Sequence, residues 1–340
     1  MKIYAGLGSG TAAQLIERAK TAESAGMDGV WAEQLNGGAP FVPLATVAGH
    51  TSRIQLGTSI ALAFTRSPLE TALTALDMDY ISGGRFNLGL GSGVQRLVEM
   101  WHGVKNYGKA VPHLRQTVEL VRMIIKDAHT GKPITYQSEY YDVKVVGWRR
   151  PIAPVRERIP IYLAGVQGGM ARLAGEVAEG MLGHIIWSPY WIKEVIHPNV
   201  KIGLDRAGRK RSDIELTVPL VVIISKDRKA ARHDAAREVG FFSTVRTYQP
   251  LFEAHGFGKL TTEIQQIFKT EGGHSPKIAQ LVTDEMIDAF TVVGTVDEVR
   301  KKIAVFKDLV DGIMVEVPGF HMDSEKTNEY RTALFETFGR

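Results

Sequence analysis

The stretch Gly57-Thr58-Ser59-Ile60-Ala61-Leu62, followed by Ser82-Gly83-Gly84-Arg85-Phe86-Asn87-Leu88-Gly89-Leu90-Gly91-Ser92-Gly93, decides the fold. Each half is a short apolar run of strand character that ends in small residues, and residues 67–81 between them carry helical spacing. Two strands joined through one helix are consecutive strands of a parallel sheet. Small residues at their carboxyl ends let something approach the backbone. Ligands of repeating β/α chains bind at that end, so the expected visitor is a flat cofactor or substrate.

The same rhythm runs in both directions from this pair. Periodicity predicts strands over residues 3–7, 29–33, 54–62, 86–91, 159–165, 180–186, 215–224 and 312–317, and helices over 11–25, 41–50, 67–81, 112–128, 170–178, 190–207, 229–239 and 296–309. Eight strands alternating with eight helices, without a Pro- or Ser-rich linker, predict an α/β fold: one (β/α)8 TIM barrel over residues 1–340. Two insertions interrupt it, a hairpin near 131–158 and an aromatic, irregular stretch near 240–282 that reads as a lid. The competing open, doubly wound sheet would favour a GxGxxG fingerprint, and Gly6-Leu7-Gly8-Ser9-Gly10 lacks the third glycine at that spacing.

The chain has 340 residues and a formal net charge of +4, too small and scattered a surplus to predict a nucleic-acid partner. It contains 0 cysteines, which excludes disulfides, thiolate metal sites and cysteine nucleophiles and suits the cytoplasm. No apolar run reaches membrane-spanning length, no metal-ligand spacing stands out, and the expected partner is a small-molecule substrate.

Several strand ends carry candidate chemistry. In Ala164-Gly165-Val166-Gln167-Gly168-Gly169-Met170, a glycine-rich turn opens a helix, where converging N–H groups and the helix dipole would bind phosphate; a tight βα turn would need glycine as well. His184, after Gly183 at the next strand end, would reach the same phosphate or simply be a satisfied polar residue. Glu33 and Gln34 follow the second strand, and a carboxylate there would serve as general acid or base, or else cap a turn. Ser92 would donate to a ring carbonyl or serve only its turn. Arg85 starts its strand on the opposite face and reads as structural, paired with a carboxylate such as Asp77. Trp187, Tyr190 and Trp191 would line a pocket or pack in the core.

Taken together, Gly57-Thr58-Ser59-Ile60, the 82–93 segment, and the 161–170 segment with Gly175-Glu176-Val177-Ala178-Glu179-Gly180 resemble the bacterial luciferase-like superfamily. That resemblance implies a (β/α)8 barrel binding either FMN or the deazaflavin coenzyme F-420. The continuation Ala61-Leu62-Ala63-Phe64-Thr65-Arg66-Ser67-Pro68 is most similar to the deazaflavin-dependent oxidoreductases. In them the Gly-Thr-Ser segment carries a non-prolyl cis peptide, which would fall at Ser59-Ile60, its bulge pressing on the middle of the ring. The implied cofactor contacts are Thr58, Ser59, Ile60, Gly91, Ser92, Ala164, Gly165, Val166, Gly168, Gly169, Met170 and His184. Family likeness also implies a homodimer.

Two departures matter. Where sugar-phosphate dehydrogenases of the deazaflavin group have an Asp-His pair, this chain has Glu33-Gln34, and where they place a glutamate after the Gly-Ser/Thr-Gly turn it has Val94. The expected activity is therefore hydride exchange between coenzyme F-420 and another small organic substrate, with Glu33 moving the proton and Gln34 hydrogen-bonding ring or substrate. The alternatives are an FMN-dependent monooxygenase and a non-catalytic flavin-binding barrel.

Overall fold

Counting by twos along each strand sorts its side chains between the barrel interior and the surrounding helices. The computed structural model, which describes residues 1–34, 38–320 and 322–339, shows what that alternation builds. The interior positions of Lys2–Gly6 are Tyr4 and Gly6, those of Gly29–Ala32 are Gly29 and Trp31, and those of Gly312–Glu316 are Gly312, Met314 and Glu316. Tyr4, Trp31, Tyr162, Leu182 and Met314 form one buried cluster, topped by the half-buried Ile60 and Ala164. The three rings pack edge to face, with centroids 5.7 Å apart for Tyr4 and Trp31 and 5.1 Å for Trp31 and Tyr162.

Glycines on neighbouring strands make the room. A Cβ on Gly57 would sit 2.4 Å from the Trp31 ring, one on Gly180 2.0 Å from Tyr162, and one on Gly29 2.8 Å from Tyr4. At the amino-terminal end the Tyr4 hydroxyl donates to Glu215 at 2.7 Å, and Lys2 Nζ donates to the same carboxylate at 2.6 Å. Burial and that carboxylate push the Tyr4 phenol far above its ordinary pKa.

The closed ring runs Lys2–Gly6, Gly29–Ala32, Gln55–Thr58, Phe86–Gly91, Ile161–Ala164, Gly180–Leu182, Glu215–Ile224, Gly312–Glu316 and back, all parallel. This is the expected (β/α)8 barrel. The hairpin insertion is also present, as Ile134–Gln137 against Asp142–Val145. Its tip is fixed by stacking: His113 lies between Phe64 (3.8 Å) and Tyr140 (4.2 Å) and bonds Tyr107 O and Tyr141 Oη. No helix among the described residues is long and apolar enough to cross a membrane.

Other expectations change. The third strand is not continuous to residue 62: it stops at Thr58, and Ala61–Leu62 pairs separately with Phe86–Gly91. The stretch taken as irregular is helical, because the Arg228–Ser243 helix runs on through it and Gln249–Ala254, Gly258–Glu271 and Pro276–Gln280 follow. The Thr291–Gly294 strand, which extends the pairing of Glu215–Ile224, and the terminal helix Ser324–Phe338 add to the pattern. Arg85 is structural, but its partner is not Asp77: its guanidinium caps the carbonyls of Ala48, Thr51 and Ile54, while Asp77 takes Arg150 at 2.7 Å.

Gly57→Ala should cost about 1–3 kcal/mol, because the enclosed Trp31 ring has nowhere to move. Gly49→Ala, which meets open space, should stay within about 0.5 kcal/mol of the parent. Urea midpoints of the two variants check this; equal midpoints would remove the packing argument.

Candidate functional site

The floor of the barrel mouth is built from small residues and one aliphatic finger. Thr58 is fully buried; its hydroxyl donates to Gly89 O at 2.7 Å and accepts from Gly89 N at 2.9 Å, tying the third strand to the fourth. Directly above this tie the Ser59–Ile60 peptide is cis, as the family resemblance implies. Ile60 then lies across Gly91, so close that a Cβ there would sit 2.2 Å from Ile60 Cδ1 and 3.5 Å from Ala164 Cβ. Ile60, Gly91 and Ala164 thus form a flat apolar patch from three adjacent segments. Ser92 stands at its edge beside Tyr107, which donates to Gly93 O at 2.9 Å.

On one side of this patch is the turn that opens helix Gly168–Val177. Its N-cap residue, Gln167, makes no capping bond; instead its side chain donates to Thr247 O at 2.8 Å. The first turn holds no acidic residue, so the N–H groups of Gly168, Gly169 and Met170 present the positive end of the helix without a side-chain acceptor. Gly168 packs against Asn199, Gly165 against Met170, and a Cβ on Gly169 would meet only Val111 at 3.5 Å. Trp191 Nε1 donates to Val166 O at 2.8 Å and fixes the turn from beneath. The residues fit a phosphate group.

His184 borders the same space and is wrapped by Phe242 and Tyr248, with centroids at 5.0 and 4.5 Å. Burial pushes its pKa down to about 3, so the ring is neutral. Its Nδ1 accepts from Ile186 N at 3.4 Å, which leaves the proton on Nε2 as a donor. A phosphate there would receive a hydrogen bond from His184 rather than a full charge.

Across the mouth lies a layer of carboxyl groups. Alternation places Glu33 in the interior layer above Trp31 and Glu316 above Met314. The Glu316 carboxyl lies over Gly6, where a Cβ would meet it at 1.9 Å. Glu238 comes from the Arg228–Ser243 helix, and its Oε2 accepts from Gly319 N at 3.0 Å and Phe320 N at 3.2 Å. Burial pushes Glu316 up to about 8, helped by Glu33 and Glu238 and opposed by Arg331. Burial likewise pushes Glu238 up to about 7, against the pull of those two N–H groups. Glu33 is raised as well, by desolvation. Glu33 is exposed at the mouth, whereas Glu316 is half-buried and Glu238 buried, so it is the member of the layer that a substrate can reach.

Gln34 does not face a ligand freely. Its Oε1 accepts from Leu62 N at 2.8 Å and from Arg66 Nη1 at 2.9 Å, so it holds the Ala61–Leu62 strand in place. Trp187 and Trp191 are buried in the core, while Tyr190 is exposed and packs against His255. Glu238 and Glu316 were absent from the sequence reading. For Glu316 a signal existed, the alternation Gly312, Met314, Glu316 ending at a strand terminus; Glu238 had none, because it arrives from a helix.

The carboxyl layer sets a pH dependence. An unfolded glutamate ionises near pH 4.5, whereas folded Glu238 and Glu316 keep their protons to about 7 and 8. The folded state therefore binds more protons in that window, and stability falls as pH rises through it. The melting temperature should drop between about pH 5 and 8.5, and Glu316→Gln should flatten the fall and melt higher than the parent at the alkaline end. A variant with an unchanged pH profile would place the effect elsewhere.

The family model for luciferase-like monooxygenase matches residues 2–311. A putative coenzyme F-420-dependent oxidoreductase of Mycobacterium tuberculosis is 29% identical over 327 residues, covering 89% of this chain and 90% of the relative. The 5,10-methylenetetrahydromethanopterin reductase of Archaeoglobus fulgidus is 30% identical over 292 residues, covering 84% and 83%. Among solved structures, the coenzyme F-420-dependent tetrahydromethanopterin reductase of Methanopyrus kandleri superposes with a TM-score of 0.78 at 23% identity, covering 100% of this chain and 97% of that one. The barrel has its counterpart among these proteins, and with the family model matching residues 2–311 the chain belongs to the luciferase-like monooxygenase family.

Proposed function

We propose that this protein is an oxidoreductase that holds coenzyme F-420 in the barrel mouth and exchanges hydride with a small organic substrate. The observation that carries the reading is the pairing of a flat apolar floor (Ile60, Gly91, Ala164) with protonatable carboxyls on one side and a glycine-rich helix N-terminus on the other. The relatives named for the same coenzyme support it.

When bound, the deazaflavin supplies the ring carbon that gives or accepts hydride. The chain's own groups do the rest. The N–H groups of Gly168, Gly169 and Met170 would hold the phosphate, with His184 Nε2–H as a further donor. Ile60, with Gly91 and Ala164, would hold the ring. For oxidation of an alcohol, the Glu33 carboxylate takes the hydroxyl proton as the hydrogen on carbon leaves with its electron pair; in the reverse direction the Glu33 carboxyl returns that proton to the carbonyl oxygen. Desolvation keeps Glu33 from ionising too readily, which suits a group that must both give and take a proton. A second reading, oxygen chemistry on FMN, is favoured by the name of the matching family model.

Parallel fluorescence titrations with coenzyme F-420 and FMN decide between the two. Saturable binding of the deazaflavin alone is the expected result; binding of FMN alone would overturn the proposal and make oxygen consumption the relevant assay. Glu33→Gln should then lower turnover about 10²–10⁴-fold with coenzyme affinity unchanged. Full turnover in that variant would remove Glu33 from the mechanism.

A further inference from the structure

Helix Arg228–Ser243 presents His233, Arg237 and Phe241 at four-residue spacing, hence on one face. That face looks into a half-open cavity of about 300 Å³, with His274, Ser275 and Ala279 on the far wall. The walls are pinned together where Gly240 meets Ile278, so closely that a Cβ would sit 2.9 Å from Ile278 Cγ2. The volume falls at the small end of the range for ligand sites.

Arg237 brings a positive charge to this cavity. Arg237 is half-buried and makes no ion pair or hydrogen bond among the described residues. The nearby acids are engaged elsewhere. Glu271 takes Lys277 at 2.6 Å and Ser275 at 2.8 Å, and Asp234 takes Lys326 at 2.5 Å and the Tyr330 hydroxyl at 2.8 Å, with His233 Nδ1 3.6 Å away. Glu238, on the adjacent turn, is bonded to Gly319 and Phe320. A half-buried guanidinium that meets no carboxylate among the described residues, in a cavity also lined by two imidazoles, favours an anion. The Phe241 ring beside it is held flat by Phe320, with centroids 3.5 Å apart and planes 17° from parallel.

We infer that this cavity binds a small anion carrying a planar apolar group. Its carboxylate or phosphate meets Arg237 between His233 and His274, and its ring rests in the apolar lining around Phe241 and Ala279. The site is separate from the floor of the barrel mouth and does not depend on which coenzyme occupies that mouth. It adjoins the carboxyl layer, because Glu238 and Phe241, three residues apart on the same helix, both touch Phe320.

The test is calorimetric titration of the purified full chain with 1-naphthoate, with neutral 1-naphthamide and inorganic phosphate as the two halves of the probe. Naphthoate should bind one to one, and each half should bind at least about tenfold more weakly, as loss of a charge-assisted contact or of ring burial implies. Arg237→Gln should weaken naphthoate by a similar factor. Ala279→Trp, which fills the cavity from the other wall without touching a charge, should abolish binding while the coenzyme titration is unchanged. Absence of saturable naphthoate binding, equal binding of naphthamide, or parent-like binding by Ala279→Trp would each overturn the inference.

Discussion

Everything in this barrel depends on three large rings fitting inside eight strands. Tyr4, Trp31 and Tyr162 fill the interior only because Gly29, Gly57, Gly180 and Gly312 leave room on the neighbouring strands, where a Cβ on any of them would lie within 3.0 Å of a ring atom. Close-packed interiors do not absorb such overlaps by small adjustments. The filled middle layer fixes the height of the layer above it, and that upper layer is where Glu33, Ile60, Ala164 and Glu316 stand. The positions of the functional groups are thus set by packing one layer below them.

The mouth joins two opposite electrostatic tendencies over one flat floor. On one side, unpaired N–H groups at the start of helix Gly168–Val177 favour negative charge. On the other, Glu33, Glu238 and Glu316 face one another without enough cation to let all three ionise at neutral pH, Arg331 being the opposing charge near Glu316. A molecule with a phosphate at one end and a redox ring at the other fits that polarity. The same burial, reinforced by like-charge crowding at Glu238 and Glu316, that weakens the fold toward alkaline pH keeps protonatable carboxyls available, a stability cost located at the site that uses it.

Much of the fold was legible because its signals are local. Strand and helix alternation, the glycine-rich turn at Gly165–Met170 and the small residues at Gly91 and Ser92 need only sequence neighbours to be recognised, and each of the eight barrel strands lies within a segment that periodicity marks, the third ending early at Thr58. Gln34 and residues 240–280 show where local reading fails. Gln34 stands at a strand end like a ligand contact, yet Leu62 and Arg66, about thirty residues on, claim its amide oxygen. The 240–280 stretch is dense in aromatics and glycine, which weakens helical periodicity, but Phe252, Ile264 and Ile278 bury themselves against one another's helices and tertiary packing overrides the weak propensity.

The sequence by itself determined the barrel, the order of its strands, and the strand ends at which Glu33, Ile60 and Gly168 would appear, because period-two and period-3.6 patterns are properties of consecutive residues. Folding alone decided that Glu316 and Glu238 join Glu33, that His184 is neutral, and that Arg237 meets no carboxylate among the described residues. Those facts depend on distances between residues far apart in the chain and on how much water the assembled fold removes from each group, and neither quantity exists until the sheet has closed.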